Sequence, residues 1–296
     1  MVQSRSAKQN FVEKYFDEPA IAVSAMTYYI FEMPELAEVE FYRKQWDAGL
    51  RHKIVTVQLH SSKRIFRGTD AKLIEKTLTG ATFVESFAHG KQMLFQFGEN
   101  GWLGLHLGMT GKLRTENASF APLKHDHLVL RQKALSLVFS DPRLFGRVLF
   151  HHGSEKPGWW NNLPAALNSP DFTFDRFKAF LQRHGKAPIK AVLLLQNGFP
   201  GIGNWMADEI LWQAKIHPRT AAGKLDSAKL KSAFQKTRSV AHRALEIISH
   251  DFSDPPKSWL FQFRWKKRGH CPRCDATLDH ATIGGRTTCW CPACQT

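Results

Sequence analysis

Hydrophobic and polar positions change their rhythm several times along this chain. Residues 1–32 keep neither a helical nor a strand period. From Pro34 the apolar positions recur at helical spacing through Leu36, Val39, Tyr42 or Arg43, Trp46 and Leu50, which predicts an amphipathic helix with one buried stripe. Pro34 suits the first helical position, and Glu35 and Glu38 suit the positive end of the helix dipole. Between about Lys53 and Phe150 the texture becomes short alternating runs, IVTVQL, QMLFQF, LGLHL, HLVL, LSLVF and RVLF, broken by Gly, Asn and Pro. Such spacing predicts an antiparallel β-sandwich or barrel. The stretch HHGSEKPGWWNNLPAALNSP, residues 151–170, has no period and reads as a connection between domains. Helical patterning returns in Phe172–Arg183, Pro188–Gln196, Asn204–Ala214 and two runs within Leu225–His250, so residues 171–262 are expected to form an all-helical second domain. The remaining segment, 263–296, is expected to be a small separate module, and no repeat or low-complexity tract occurs elsewhere.

Composition narrows the partners. The 296 residues carry a formal net charge of +15, which favours a polyanion because clustered Lys and Arg displace counterions from phosphates. Charge alone is also compatible with a soluble basic protein that meets no nucleic acid. Four of the five cysteines form two Cys-x2-Cys pairs near the C-terminus, the pattern of thiolates reserved for a metal in a reducing compartment, so a cytosolic protein is expected. The longest uncharged apolar stretch near the N-terminus, Ala20–Phe31, is shorter than the roughly twenty residues that span a bilayer. Asp17 and Glu18 precede it where a signal peptide would carry positive charge, so neither a membrane span nor secretion is expected.

Cys271 and Cys274 are separated from Cys291 and Cys294 by positions 275–290, a spacing that suits two knuckles around one tetrahedral structural Zn2+. Cys289 is the spare, because using it in place of Cys291 would distort the knuckle. Between the knuckles GGRTT places Arg286 near a hairpin tip, where it reaches a phosphate or a base, or is simply solvated. QNGFPGIGN, residues 196–204, forms a tight turn between two apolar helical runs, with Asn204 placed to cap the helix beginning at Trp205. The free amides of that helix would offer an anion site for backbone phosphate. Lys190, one helix earlier, contacts the same phosphates or faces solvent.

From Met33 to its end the chain resembles the Fpg/Nei family of bifunctional DNA glycosylases. The resemblance is carried by MPELAEVE (33–40), HLGMTGKLR (106–114), KHDH (124–127), SDPRLFG (140–146), PGIGNWMADEILWQAKIHP (200–218) and the terminal cysteine ribbon. It implies an α+β multidomain fold: an N-terminal antiparallel β-sandwich with an N-terminal helix over 33–150, a helix-two-turn-helix domain and a C-terminal zinc ribbon, clamping damaged double-stranded DNA as a monomer. It implies that Pro34, once Met33 is removed, attacks C1′ of the damaged nucleotide with its secondary amine. An α-amino group titrates near 8 rather than near 10.4 as for lysine, so an appreciable fraction is uncharged and nucleophilic at neutral pH. The resulting imine acts as an electron sink for β,δ-elimination. Glu35 is the matching acid/base, Lys91 the hairpin lysine beside the lesion, and Glu38 either active-site support or a plain helix-start carboxylate. Met109, Arg143 and Phe145 match the side chains that fill the gap left by an everted base, although alone Met109 and Phe145 would read as core. Lys190, Asn204 and Arg286 match phosphate-binding residues. Oxidised purines such as 8-oxoguanine and formamidopyrimidines are the expected lesions, with oxidised pyrimidines as the alternative.

Three departures qualify the match. Residues 1–32 precede the start of the resemblance, and an amide nitrogen at Pro34 forms no imine; the extension is therefore expected to be absent from the mature protein. If it is retained, the chain becomes a lesion-binding module without lyase activity, or needs proteolysis to free Pro34. SHDFSDPPKSWLFQFRWKKRGHC, leading into the ribbon, lacks the glycine-rich loop that covers the lesion in relatives, and Leu144 stands where many relatives have a second arginine.

Overall fold

The computed structural model describes residues 33–266 and 268–296. The expected extension, 1–32, lies outside the described residues.

Alternate strand positions supply the core of the first domain. Its strands are β1 (Thr56–Leu59), β2 (Phe83–His89), β3 (Gln92–Phe97), β4 (Gly101–His106), β5 (Lys112–Asn117), β6 (Asp126–Arg131), β7 (Leu135–Ser140) and β8 (Arg147–His152). They form two four-stranded sheets, in the orders β1-β6-β7-β5 and β2-β3-β4-β8, and every pair is antiparallel. Met93, Phe95 and Phe97 of β3 with Leu103 and Leu105 of β4 meet Leu128, Leu130, Leu137 and Phe139 of the other sheet in one buried cluster. The period of two sends these side chains to one face, which makes the domain a sandwich.

The N-terminal helix α1 (Leu36–Lys44) is shorter than its pattern predicts, and a second helix, α2 (Ala71–Leu78), follows β1. Trp46 still reaches the core, through a separate 3₁₀ turn at Asp47–Gly49, and donates its indole N–H to the Val138 carbonyl at 3.3 Å. The expectation of a single buried stripe is also corrected. Glu38 is buried along with Leu36, Val39 and Arg43, because the helix is covered on a second side by the helical domain, where Trp205 meets Glu38. Phe41 packs on Phe252 at 4.7 Å, and Lys44 Nζ donates to Ser249 Oγ at 3.0 Å.

The period-free connection turns out to be packed. It contains α3 (Gly158–Asn161), whose Trp159 packs against β4: a Cβ at Gly104 would fall 2.4 Å from the indole. The helical domain follows as α4 (Phe174–Arg183), α5 (Ile189–Leu193), α6 (Asn204–Gln213) and α7 (Ser227–Asp251). Phe172, Phe177, Phe180, Phe199 and Phe234 interlock at ring separations of 5.2–6.3 Å to form its core. The two runs expected within Leu225–His250 are one helix of 25 residues. Asp226 caps it by accepting from Lys229 N at 2.7 Å, and Phe252 ends it in the left-handed region (φ 62°). The terminal ribbon is the hairpin β9 (Asp279–Ile283) and β10 (Arg286–Trp290), turned by Gly284 and Gly285 with φ of 60° and 74°. A turn with positive φ at both central positions suits glycine.

Candidate active site and nucleic-acid interface

The start of α1 and the start of α6 are built against each other. Glu35, 1 % exposed, directs its carboxylate at the helical domain, where Oε1 accepts from Trp205 N at 2.9 Å and Oε2 accepts from Gly203 N at 2.8 Å and Met206 N at 3.2 Å. The Leu36 amide donates to the Gly201 carbonyl at 3.0 Å, and Leu36 Cβ would lie 2.8 Å from a Cβ at Gly201, whose φ is 93°. Glycine is needed there both for the conformation and for the approach. This geometry corrects the expected role of Asn204 as a cap with free amides behind it. Gly203 occupies the cap position, and a carboxylate from another domain takes the helix amides because its full charge meets the dipole better than a neutral amide would. Asn204 instead donates from Nδ2 to the Thr287 carbonyl of the ribbon hairpin at 2.9 Å.

Pro34, half-buried, sits directly before this anchored carboxylate. Lys91 lies in the two-residue turn between β2 and β3, and the turn is wedged against the same loop: a Cβ at Gly90 would stand 2.9 Å from Gly201 N and from Pro200 Cβ. His89, the last residue of β2, makes a 2.7 Å contact from Nε2 to the Pro164 carbonyl, so this nitrogen carries the proton. His106 was not among the expected residues. Burial, and then the nearby Lys91 charge, push its pKa down to about 4, so it is a neutral imidazole whose Nδ1 accepts from Gly108 N at 3.0 Å. Only its position in HLGMTGKLR could have drawn attention to it. Glu38 accepts the Trp205 indole N–H on Oε1 at 3.0 Å, while its buried Oε2 has no hydrogen-bond partner. Desolvation raises its pKa to about 7 against the opposing hydrogen bonds and the Lys91 charge.

Met109, Arg143 and Phe145 come from two loops that meet at the same end of the sandwich. Gly108 (φ 64°) presses on the Phe145 backbone, and a Cβ there would fall 2.4 Å from the Phe145 carbonyl carbon. Asp141, wholly buried, holds both loops by accepting from Thr110 Oγ1 at 2.7 Å, Gly146 N at 2.7 Å and Arg143 N at 3.3 Å. The Phe145 ring is 41 % exposed, an unusual place for a large apolar side chain, with the Arg143 guanidinium 4.9 Å from its centroid. Leu144 adopts φ 58° and packs back onto the sandwich core.

Lys190 is not placed as the sequence suggested. Its ammonium is fully buried, 2.5 Å from Asp208 Oδ1 and 2.6 Å from the Asn204 carbonyl, with Arg264 on the other Asp208 oxygen at 2.7 Å. A phosphate has no access to it, so the expected phosphate contact is replaced by an internal ion pair. Burial lowers its pKa, and Asp208 opposes that shift. Asp208 Oδ2 also accepts from Cys289 N at 3.2 Å, which ties the ribbon to α6.

In the ribbon the thiols of Cys271, Cys274, Cys291 and Cys294 all lie within 4.8 Å of one another, close enough to hold one metal ion. The Trp212 indole N–H points at Cys271 Sγ at 3.3 Å, a hydrogen bond that favours the thiolate. Cys289 is buried beside the cluster, and desolvation drives its pKa up to about 12, so it stays a protonated packing residue. Arg286 is exposed at the hairpin tip, where Gly284 rests against Ala191 of α5.

Residues 33–148 match the formamidopyrimidine-DNA glycosylase N-terminal domain, and residues 164–253 match the formamidopyrimidine-DNA glycosylase H2TH domain. A formamidopyrimidine-DNA glycosylase from Xanthomonas campestris pv. campestris is 33 % identical over 277 residues, covering 89 % of this chain and all of that protein. The chain belongs to the formamidopyrimidine-DNA glycosylase family. Among solved structures, Lactococcus lactis Fpg with abasic-site DNA aligns with a TM-score of 0.80 at 27 % identity, over 88 % of this chain and 99 % of that one. The same enzyme with DNA containing an oxidised pyrimidine gives 0.80 at 27 %, over 89 % and 100 %. No helix among the described residues is long and apolar enough to cross a membrane.

Proposed function

We propose that this family member acts in base-excision repair as a DNA glycosylase with abasic-site lyase activity. It works on oxidised bases in double-stranded DNA, with 8-oxoguanine and formamidopyrimidines as the principal lesions and oxidised pyrimidines as further substrates. The reading rests on one observation above all, the Glu35 carboxylate locked onto the amides of α6 immediately after Pro34. A nucleophile at the extreme start of α1 is thereby held at the junction of the two domains, next to the Lys91 turn, where a strand clamped between them would present its sugar. The Pro34 amine attacks C1′ as the base leaves, the sugar ring opens to an imine, and loss of a C2′ proton expels the 3′ phosphate before the 5′ phosphate follows. Glu35 exchanges protons at the sugar, and Lys91 faces the flanking phosphate. Met109, Arg143 and Phe145 fill the place of the everted nucleotide, and Asn204 and Arg286 hold the backbone.

The four thiolates suit Zn2+, a borderline-soft ion that favours tetrahedral sulfur sites; it would fold the ribbon and so fix Arg286 and the Thr287 carbonyl beside Asn204. Thiolate ligation of this kind fits a reducing cytosol, with the nucleoid as the place of work and a monomer as the working form.

The chemistry requires a free imino group at Pro34, one residue past the start of the family match. Borohydride reduction during reaction with an abasic duplex tests it. A chain beginning at Pro34 is expected to become covalently trapped and Pro34→Gly trapped far more weakly, while native protein is expected to show Pro34 as its terminus by mass spectrometry. Retention of residues 1–33 together with an absence of trapping would reject the lyase and leave a damaged-DNA-binding protein.

A further inference from the structure

One end of the β2-β3-β4-β8 sheet carries a row of side chains that continues past those assigned above. The β2–β3 turn brings Lys91 to this end, His106 ends β4 just before Met109, and Arg147 begins β8, opposite His106, just after Phe145. Beyond the free edge of β8 lies a 3₁₀ turn, Arg64–Phe66, fixed there by Thr69 Oγ1 donating to the Val148 carbonyl at 2.9 Å. Neighbouring strands stand about 4.8 Å apart, so the two steps from β3 to β8 cover roughly 10 Å, and the turn beyond β8 carries the row on toward the roughly 12 Å width of the DNA major groove. A row that begins at the phosphate flanking the lesion on one strand therefore extends toward the other strand.

Arg64 is exposed on that turn between exposed Lys63 and Arg67, and no carboxylate among the described residues pairs with it. Its guanidinium lies over the Phe145 ring, 5.4 Å from the centroid. Stacking on an aromatic ring restrains the long side chain while leaving the N–H groups at the guanidinium edge available, the geometry that meets a phosphate with two hydrogen bonds. Phe145 would then act both as the wedge and as the platform that aims Arg64.

We infer that Arg64 binds a backbone phosphate of the undamaged strand, so that the enzyme grips both strands at the lesion. The inference rests on the glycosylase reading and extends it. The test is equilibrium binding of the full chain to a duplex containing a tetrahydrofuran abasic analogue, with single neutral methylphosphonates placed in turn along the undamaged strand, at several salt concentrations. One methylphosphonate position is expected to weaken wild-type binding about tenfold and to have no effect on Arg64→Ala. The salt slope of Arg64→Ala should be shallower by about 0.9, the value for one phosphate contact, and Arg64→Lys should restore it. A wild-type slope in Arg64→Ala, or losses that add to those of every methylphosphonate, would overturn the inference, because they would mean the arginine only props up Phe145. A wild-type protein with no preference for the abasic analogue over undamaged duplex would instead sink the glycosylase reading itself.

Discussion

Gly203→Ala is a clean probe of the junction between the domains. Gly203 has φ −122° and ψ −154°, an extended conformation open to any residue, so a methyl group adds no backbone strain. The new Cβ would lie 2.4 Å from Glu35 Cδ and Oε1, whereas ordinary contact begins at 3.4 Å. The carboxylate must retreat by about 1 Å, out of reach of some of the amides it now accepts from. A misplacement of that size costs on the order of 100-fold in rate when the displaced group acts in the chemistry. Weakening one charge-assisted hydrogen bond costs roughly 1.5–3 kcal/mol of stability. Single-turnover cleavage of an abasic duplex, measured beside urea unfolding, should show a rate near one-hundredth of wild type in a protein that is still folded. A wild-type rate would mean that the position of the Glu35 carboxylate does not matter to catalysis, and the assignment of Glu35 would fall with it.

Other expectations follow from the buried charges and the thiols. The Glu38 pKa is raised from 4.5 to about 7, so its contribution to stability is complete below pH 4.5 and is lost as pH rises to 7, by an amount of the order of 3 kcal/mol. Glu38→Gln should flatten that part of the stability curve in urea titrations; Glu209, also raised to about 7, should leave a residual slope of the same sign. An unchanged slope in Glu38→Gln would show that the carboxyl is not buried as described. Lys190→Ala should cost about 3–5 kcal/mol, because it strips a partner from a buried carboxylate, while leaving the salt slope of DNA binding as it was. A slope reduced by one phosphate would restore the role that the sequence suggested. Chelation should release one Zn2+ per chain, detectable by a metallochromic dye, and weaken DNA binding together with loss of ribbon order; tight binding by the metal-free protein would contradict the part given to the hairpin.

What could be read in the chain followed from how local each signal is. The cysteine spacing was legible because two knuckles and a tetrahedral ion impose short-range geometry. The sandwich was legible because alternation along β3 or β7 survives without knowledge of the partner strand. The cap of α6 was not, because Glu35 and Gly203 are 168 residues apart and meet only after both domains have formed. A local rule assigned the α6 amides to Asn204, the nearest side chain able to cap. Lys190 failed for the same reason: a lysine reads as solvated or phosphate-bound until the fold places Asp208 and Arg264 around it. The length of α7 was obscured because its buried stripe, Leu230, Ala233, Thr237, Val240, Ala244 and Ile248, runs through small and polar residues that carry little apolar signal in mid-helix.

These non-local contacts share a consequence. Glu35 on the α6 amides, Leu36 N on the Gly201 carbonyl and Gly90 against Pro200 all converge on the PGIG turn. A turn with glycine at 201 and 203 is costly to order in isolation, since glycine loses the most backbone freedom on folding. It is held by the start of α1 and the β2–β3 turn, the two segments that present Pro34 and Lys91. Docking of the helical domain and alignment of those two side chains are therefore one event. The amide donors that a free helix start would have lent to a phosphate are spent on fixing the Glu35 carboxylate beside Pro34, so under the proposed function the DNA backbone must be met by side chains around that junction and not by the start of α6.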